Sequence, residues 1–251
     1  MSTPKANFDN IYAMYSPTIY VEYLIGELNY QLPFQTMGKL RHYIEQLALE
    51  SPIQVTIIGS AHGLDVVALK YEMASEKILE RWTNQTTVRQ PFPAIESPYE
   101  ITLIDIEAEP LRFAADVQLS DKSFVADLSA PFSVQLEQHF REMTDIIIAT
   151  GMISYIGVDG LERIIEAAFV NGKANLLTFS ALKFLEIDAF INVCQKHGLL
   201  VRKIIHSPHR NYKNDAEKQR VKQTLKNKGI LSAEDELGLM GYVFLVCRGK
   251  Q

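Results

Sequence analysis

The chain has two cysteines and one tryptophan in 251 residues, and no run of about 18 uninterrupted apolar residues. Cys194 and Cys247 are far apart and fit no metal-ligand spacing. That excludes a disulfide framework and a zinc ribbon, and predicts two free, buried thiols. Positive charge is in deficit, with 25 Lys and Arg against 30 Asp and Glu, a formal net charge of −5. A chain so balanced has no overall electrostatic footprint for nucleic acid. The opening Met-Ser-Thr-Pro-Lys-Ala-Asn-Phe-Asp lacks a basic start followed by an apolar stretch, the mark of a secretory leader. A soluble, cytoplasmic protein with no membrane partner is the expectation.

What is present is core-forming sequence. At 47% hydrophobic residues the chain can bury one large domain, with or without an appendage. From Ile53 onward, strand-like runs alternate with helical periods, the pattern of βαβ units and a mostly parallel sheet. Seven strands are predicted, at residues 54–58, 100–105, 123–127, 145–149, 174–179, 201–206 and 242–247. The fourth and fifth are short, nearly continuous apolar runs, as strands covered on both faces should be.

Three helical stripes stand between the strands. Leu64, Val67, Ala68, Tyr71, Ala74 and Ile78 recur at three and four residues and predict one helix. Leu161, Ile164, Ile165 and Ala168 predict a second over 160–171, with Asp159 as cap, Glu162 completing a capping box and Gly172 as stop. Leu182, Leu185, Ala189, Phe190 and Val193 form the third, stopped at Gly198. Residues 83–98 hold three prolines and no helical period, which predicts an excursion in the chain.

Val55-Thr-Ile-Ile-Gly59-Ser60-Ala61-His62-Gly63-Leu-Asp carries the strongest functional signal, because an apolar strand runs into a glycine turn that opens a helix. Such a turn lets backbone N–H groups approach a nucleotide-like ligand. The dinucleotide order G-x-G-x-x-G fits poorly, with Ala61 and Leu64 at its second and third positions. Read as G-x-G-x-G, only Ala61 departs. Downstream, Ile-Thr-Leu-Ile-Asp105 and Phe-Val-Ala-Asp127 each end a predicted strand on an acid, and Ile-Ile-Ile-Ala-Thr150-Gly151-Met-Ile-Ser-Tyr155 forms the tip of the fourth.

In this order the four stations resemble the class I, Rossmann-like S-adenosylmethionine-dependent methyltransferases, over about four-fifths of the chain and most nearly a bacterial group. The resemblance implies an α/β fold: a seven-stranded, mostly parallel sheet with an antiparallel last strand, helices on both faces and an N-terminal helical cap. It divides the chain into a cap at 1–50 and a donor-binding domain at 51–251. S-adenosylmethionine is the implied cofactor. Gly59, Ser60, Ala61, His62 and Gly63 would form its turn, Asp105 with Ile106 would meet the ribose, Asp127 with Leu128 the adenine, and Thr150 with Gly151 the methyl-donor end. A carboxylate suits paired hydroxyls because it offers two acceptor oxygens.

The N-terminal segment is similar to the preamble of that bacterial group, and its Tyr12, Tyr15, Tyr20 and Tyr30 are candidate substrate contacts. His206 and His209, beside the Ser207-Pro208 turn, and Tyr155 are the catalytic candidates, since a hydroxyl acceptor benefits from a base near pH 7. His62 is a further histidine placed for such contact; residues 42, 139 and 197 are ordinary helix histidines. The strand-four tip lacks the Asn/Asp-Pro-Pro-Tyr/Phe sequence associated with amino methylation of bases, so a small-molecule oxygen, carboxyl or nitrogen acceptor is expected. No metal is implied. A non-catalytic donor-binding or partner subunit is the alternative, motivated by Ala61, with a NAD-dependent oxidoreductase behind it; a homodimer is left open. Residues 201–228 carry nine Lys or Arg against Asp215 and Glu217. That tract reads first as a solvated helix and second as an anion site.

Overall fold

The computed structural model describes residues 9–248, with side chains from residue 11 onward, so positions 1–8 of the expected cap lie outside the described residues. Short helical segments open the chain: α1 (Asp9–Tyr12), α2 (Thr18–Val21) running into a π-helical turn at Glu22–Glu27, and α3 (Leu32–Gln46). Then come β1 (Ile53–Ile58), α4 (Leu64–Lys70), α5 (Ser75–Thr83), β2 (Tyr99–Asp105), α6 (Ala108–Asp116), β3 (Lys122–Val125), α7 (Val134–Glu142), β4 (Ile146–Ala149) and α8 (Ile153–Ile165). The last part comprises β5 (Leu176–Leu182), α9 (Asp188–Lys196), β6 (Leu199–Arg210), α10 (Asp215–Asn227) and β7 (Leu239–Arg248).

The strands form one sheet in the order β3-β2-β1-β4-β5-β7-β6. Every pairing from β3 to β5 is parallel, while β7 runs antiparallel to both β5 and β6. All seven predicted strands are present, and the antiparallel last strand falls where the sequence led us to expect it. Alternate residues build the two core layers. Val55, Ile57, Leu103 and Ile148 face one cluster, which also takes Trp82, Phe113 and the cap residues Val21, Leu24, Met37 and Leu40. Ile58, Ile104, Ile147 and Phe179 face the other, with Phe140, Leu161, Ile164 and Phe169.

Three local expectations are corrected. The helix predicted from Leu64 to Ile78 is two helices, broken where Glu72 takes a φ of 51°. After the break α5 docks on the N-terminal segment, with the Thr18 hydroxyl donating to the Trp82 carbonyl at 2.8 Å. α8 is a short helical segment from Ile153 joined across a kink at Gly157 (φ 68°, ψ 178°) to the predicted second helix, which starts one or two residues ahead of its proposed Asp159 cap and continues through a π-helical turn at Glu166–Val170. Leu182 belongs to β5, paired with Gly241, so the third stripe joins a strand end to a helix. The proline-rich excursion is present as expected, with no helix or strand between Thr83 and Tyr99, and it is anchored by Phe92, which is buried with its N–H bonded to the Val117 carbonyl at 2.9 Å and the Arg81 guanidinium over its ring at 4.1 Å.

The basic tract is divided between β6 and α10, and α10 buries Val221 and Leu225. Lys218 and Lys222 share Glu236 and Lys228 meets Glu186, while Arg210 and Glu217 form a buried pair at 2.7 Å. Among the described residues no helix is long and apolar enough to cross a membrane.

Candidate active site at the carboxyl ends of the strands

Strand order reverses between β1 and β4, where their following connections leave on opposite faces and open a crevice. A cavity of about 430 Å³ occupies that crevice, within the range that encloses small ligands. Its floor is the tips of β1, β2, β3, β4 and β5, and its cover is Tyr12, Tyr20, Leu24, Tyr30 and Pro33 of the N-terminal segment.

The glycine turn is held from below and from the side. Gly59 N–H donates to the Ile104 carbonyl at 2.7 Å, and Ala61 N–H donates to Asp105 Oδ2 at 2.8 Å. Gly59 and Gly63 have φ of 63° and 89°, and Ala61 shares the left-handed region at 43°. Glycine occupies that region at little cost, whereas alanine does so under strain. At Gly59 there is a second requirement, because a Cβ would overlap the Met152 side chain lying across it. The turn therefore exposes backbone to the cavity, with Met152 as its roof.

Asp105 also accepts from Glu107 N–H through Oδ1 at 3.0 Å. Burial raises its pKa above the usual carboxylate value, opposed by these backbone N–H groups. Each oxygen makes one of these two bonds, and a carboxylate has about four lone-pair sites, so both can still accept a ligand hydroxyl. Asp127, by contrast, is exposed: its Oδ1 accepts from Ser129 N–H and Oγ at 2.9 and 2.6 Å, which holds the carboxyl below its ordinary value. Ile106 and Leu128 complete that end of the wall, and Thr150 and Gly151 stand at the opposite end. Gly151 N–H donates to Ser180 Oγ at 2.6 Å, which fixes the β4 tip against β5.

Gly59, Ser60, Ala61, Asp105, Ile106, Asp127, Leu128, Thr150 and Gly151 thus share one cavity, joined by Tyr12, Tyr20, Tyr30, Tyr155 and His209. Four sequence candidates lie elsewhere. His62 points into the core, its Nε2 2.7 Å from the Met14 carbonyl oxygen and its ring 5.0 Å from that of Tyr20. Burial drives its pKa down to about 4, so it is a neutral core residue that ties the turn to the cap. Gly63 caps α4. The Tyr15 hydroxyl donates to Asp116 at 2.7 Å on the outer side of the segment. His206 stacks on Tyr242 at 4.8 Å, with Nδ1 3.4 Å from Glu234.

Of the two candidate histidines only His209 lies on the cavity wall: three residues apart on β6, the two side chains point to opposite faces of the sheet. The His209 ring lies against Gly241, where a Cβ would overlap it.

Sequence reasoning missed Asp65, Met152, Ser180 and Arg210, all on the cavity wall. Asp65 had a readable signal: it interrupts the otherwise apolar Leu64-Asp-Val-Val-Ala-Leu69, and all six residues are buried. Its pKa is raised to about 6 by burial, opposed by a hydrogen bond from Thr150.

No family model matches the sequence, and no curated protein matches it. Solved structures do. A plantazolicin methyltransferase, in complex with a desmethyl substrate analogue and S-adenosylhomocysteine, is similar over 96% of this chain and 98% of its own, at 10% identity and a TM-score of 0.51. An S-adenosylmethionine-dependent methyltransferase from Clostridium acetobutylicum is similar over 92% and 97%, at 9% identity and a TM-score of 0.51. The fold is that of the class I methyltransferases. In this methyltransferase fold the cavity sits across the β1 and β4 tips, where the glycine turn, Asp105 and the N-terminal tyrosines converge.

Proposed function

We propose that the chain is an S-adenosylmethionine-dependent methyltransferase acting on a small-molecule acceptor, with residues 51–251 as the donor-binding domain and the N-terminal 50 as its cap. The observation that carries this reading is the bond from Ala61 N–H to Asp105. It joins the glycine turn and the β2 acid into one surface at the strand-order reversal, with acceptor capacity to spare.

The wall fits the donor. Asp105 offers two oxygens for ribose hydroxyls, Ile106 and Leu128 offer apolar surface for a base, and Asp127 offers a carboxylate beside them. Ser60 Oγ and Asp65 Oδ1 are buried with no hydrogen-bond partner among the described residues. Unmet polar atoms on a cavity wall suit a polar ligand. When bound, S-adenosylmethionine supplies an activated methyl group, whose carbon–sulfur bond breaks with its electron pair going to sulfur as the acceptor's lone pair attacks carbon. Positioning then supplies most of the rate, and no catalytic triad is needed.

On the acceptor side stand Tyr30, Pro33, Met152, Tyr155, Leu182, Leu185 and His209. These largely apolar walls exclude water from the transfer. His209 and Tyr155 are the groups placed to take the acceptor's proton. At least four of the nine cations in the basic tract, Arg210, Lys218, Lys222 and Lys228, are paired with carboxylates among the described residues, which favours a small acceptor over an anionic polymer.

Thermal unfolding with S-adenosylhomocysteine, and with NADH in parallel, tests the reading. A ligand at about 100 times its dissociation constant adds roughly 2.7 kcal/mol, or roughly 5–10 °C for a chain of this size. A rise with S-adenosylhomocysteine alone is expected. A rise with NADH alone would replace the reading with a dinucleotide enzyme.

A further inference from the structure

Asp65 has no part in the four-station reading, yet it is a buried carboxylate with one oxygen lacking a partner among the described residues. It is 5% exposed, it lines the cavity, and the oxygen without a partner is Oδ1. Thr150 bonds to the carboxylate from the β4 tip. Because β2 and β4 flank β1, Asp105 and Asp65 mark opposite sides of the glycine turn.

Among the described residues no cation is paired with Asp65. Among the described residues the cavity lining contains no lysine and a single arginine, Arg210, whose guanidinium is bound by both oxygens of Glu217 at 2.9 and 2.7 Å. The remaining ionisable side chains of the wall are Asp105, Glu107, Asp127, His209 and the phenols, of which Tyr20 and Tyr30 lie within electrostatic reach of Asp65 and Tyr12 is close to both. The Tyr30 hydroxyl lies 3.7 Å from where a Cβ on Gly151 would stand, next to Thr150. A buried carboxylate without a counter-charge is costly, and a neutral hydroxyl would satisfy its hydrogen bonding but not its charge. An ammonium group satisfies both, and phenol rings around it add favourable cation–π surface.

We infer that Asp65 is a ligand-binding residue whose Oδ1 receives an ammonium group, with Thr150 holding the carboxylate in place and Tyr20 and Tyr30 enclosing it. This rests on the proposed function, since the methyl donor carries such a group on its amino-acid end; an amine acceptor is a second source of the same chemistry.

Calorimetric titration of the parent chain and Asp65→Asn separates the cases. The probes are S-adenosylhomocysteine and 5′-methylthioadenosine, which keeps the nucleoside and the sulfur but has no amino-acid end. If the donor's ammonium binds Asp65, the substitution weakens S-adenosylhomocysteine about tenfold or more and leaves 5′-methylthioadenosine within about twofold. If an acceptor amine binds there, both nucleosides bind parent and variant alike. Ethylammonium then raises the melting temperature of the 5′-methylthioadenosine-loaded parent and not of the loaded variant. Thr150→Val, which retains the carboxylate without its tether, gives a smaller loss for the same probe and serves if Asp65→Asn does not fold. Equal binding of every probe to parent and variants overturns the inference while the proposed function stands. Failure of S-adenosylhomocysteine to bind the parent overturns both.

Discussion

Ala61 N–H donates to Asp105 Oδ2 at 2.8 Å, so a residue held at a φ of 43° is fastened to the carboxylate expected to meet the ribose. The bond makes Asp105 a structural member of the turn as well as a ligand contact. Asp105→Ala should therefore act twice. Loss of hydrogen bonds to a charged group should weaken S-adenosylhomocysteine binding by about 1.5–3 kcal/mol, and the ligand-free melting temperature should fall as the turn loosens. Calorimetry and thermal unfolding on the same preparation check both effects. An unchanged affinity in a folded variant would remove Asp105 from the donor site.

Asp65 should cost stability at neutral pH. Burial raises its pKa from 3.8 to about 6, so the folded chain holds this proton more tightly than the unfolded chain does. Its contribution is most favourable below pH 3.8 and is lost as pH rises through about 6, a change on the order of 3 kcal/mol. Asp65→Asn should then be more stable than the parent at pH 7.5 and lose that advantage at pH 4. Urea unfolding at the two pH values measures it, with Tyr12, Tyr20, Tyr30 and Asp105 unchanged beside the site.

Acid should destabilise the fold through two core histidines. His62 and His139 both have pKa values lowered by burial from 6.5 to about 4. The unfolded chain takes up these protons first, so stability is present above pH 6.5 and is lost as pH falls toward 4. His62→Gln, which keeps a donor for the Met14 carbonyl and cannot titrate, should flatten part of that loss. Melting temperatures between pH 7.5 and 4.5 would show it; parallel pH curves for parent and variant would contradict it.

Gly241 is required by the His209 ring, which occupies the space a Cβ would need. Gly241→Ala should cost about 1–3 kcal/mol through overpacking. Trimming the ring in Gly241→Ala/His209→Ala should return part of that loss, because the two residues share one space. A double-mutant cycle by urea unfolding reads the coupling, and additive losses would place the strain elsewhere.

The Lys183–Asp235 pair, at 2.9 Å and almost wholly buried, also has the Ser232 hydroxyl as partner to its ammonium. Lys183→Met leaves Asp235 buried without its cation and should cost about 3–5 kcal/mol. A loss below 1 kcal/mol in urea unfolding would show that Ser232 and its neighbours suffice for the carboxylate.

Legibility in the sequence followed the range of the interactions. The strands were readable because a buried strand needs a short apolar run wherever it lies, as in Ile146-Ile-Ile-Ala149. The glycine turn, Asp105, Asp127 and Thr150-Gly151 were readable because each sits at a strand tip, and the strand fixes its position. Helix boundaries were less legible: the break at Glu72 occurs where α5 turns toward the distant N-terminal segment, and the kink at Gly157 rests on one glycine's positive φ.

The amino-acid order by itself thus determined the sheet, its antiparallel last strand and the line of residues along its carboxyl edge. Only the tertiary structure decided which side chains face the cavity. Ala61 in the left-handed region sends His62 into the core to meet Met14, the face that β6 turns to the crevice sets His209 rather than His206 in the wall, and the cap closes over Asp65. Those outcomes depend on backbone rotations and on contacts between segments far apart in the chain, which local pattern and spacing do not encode.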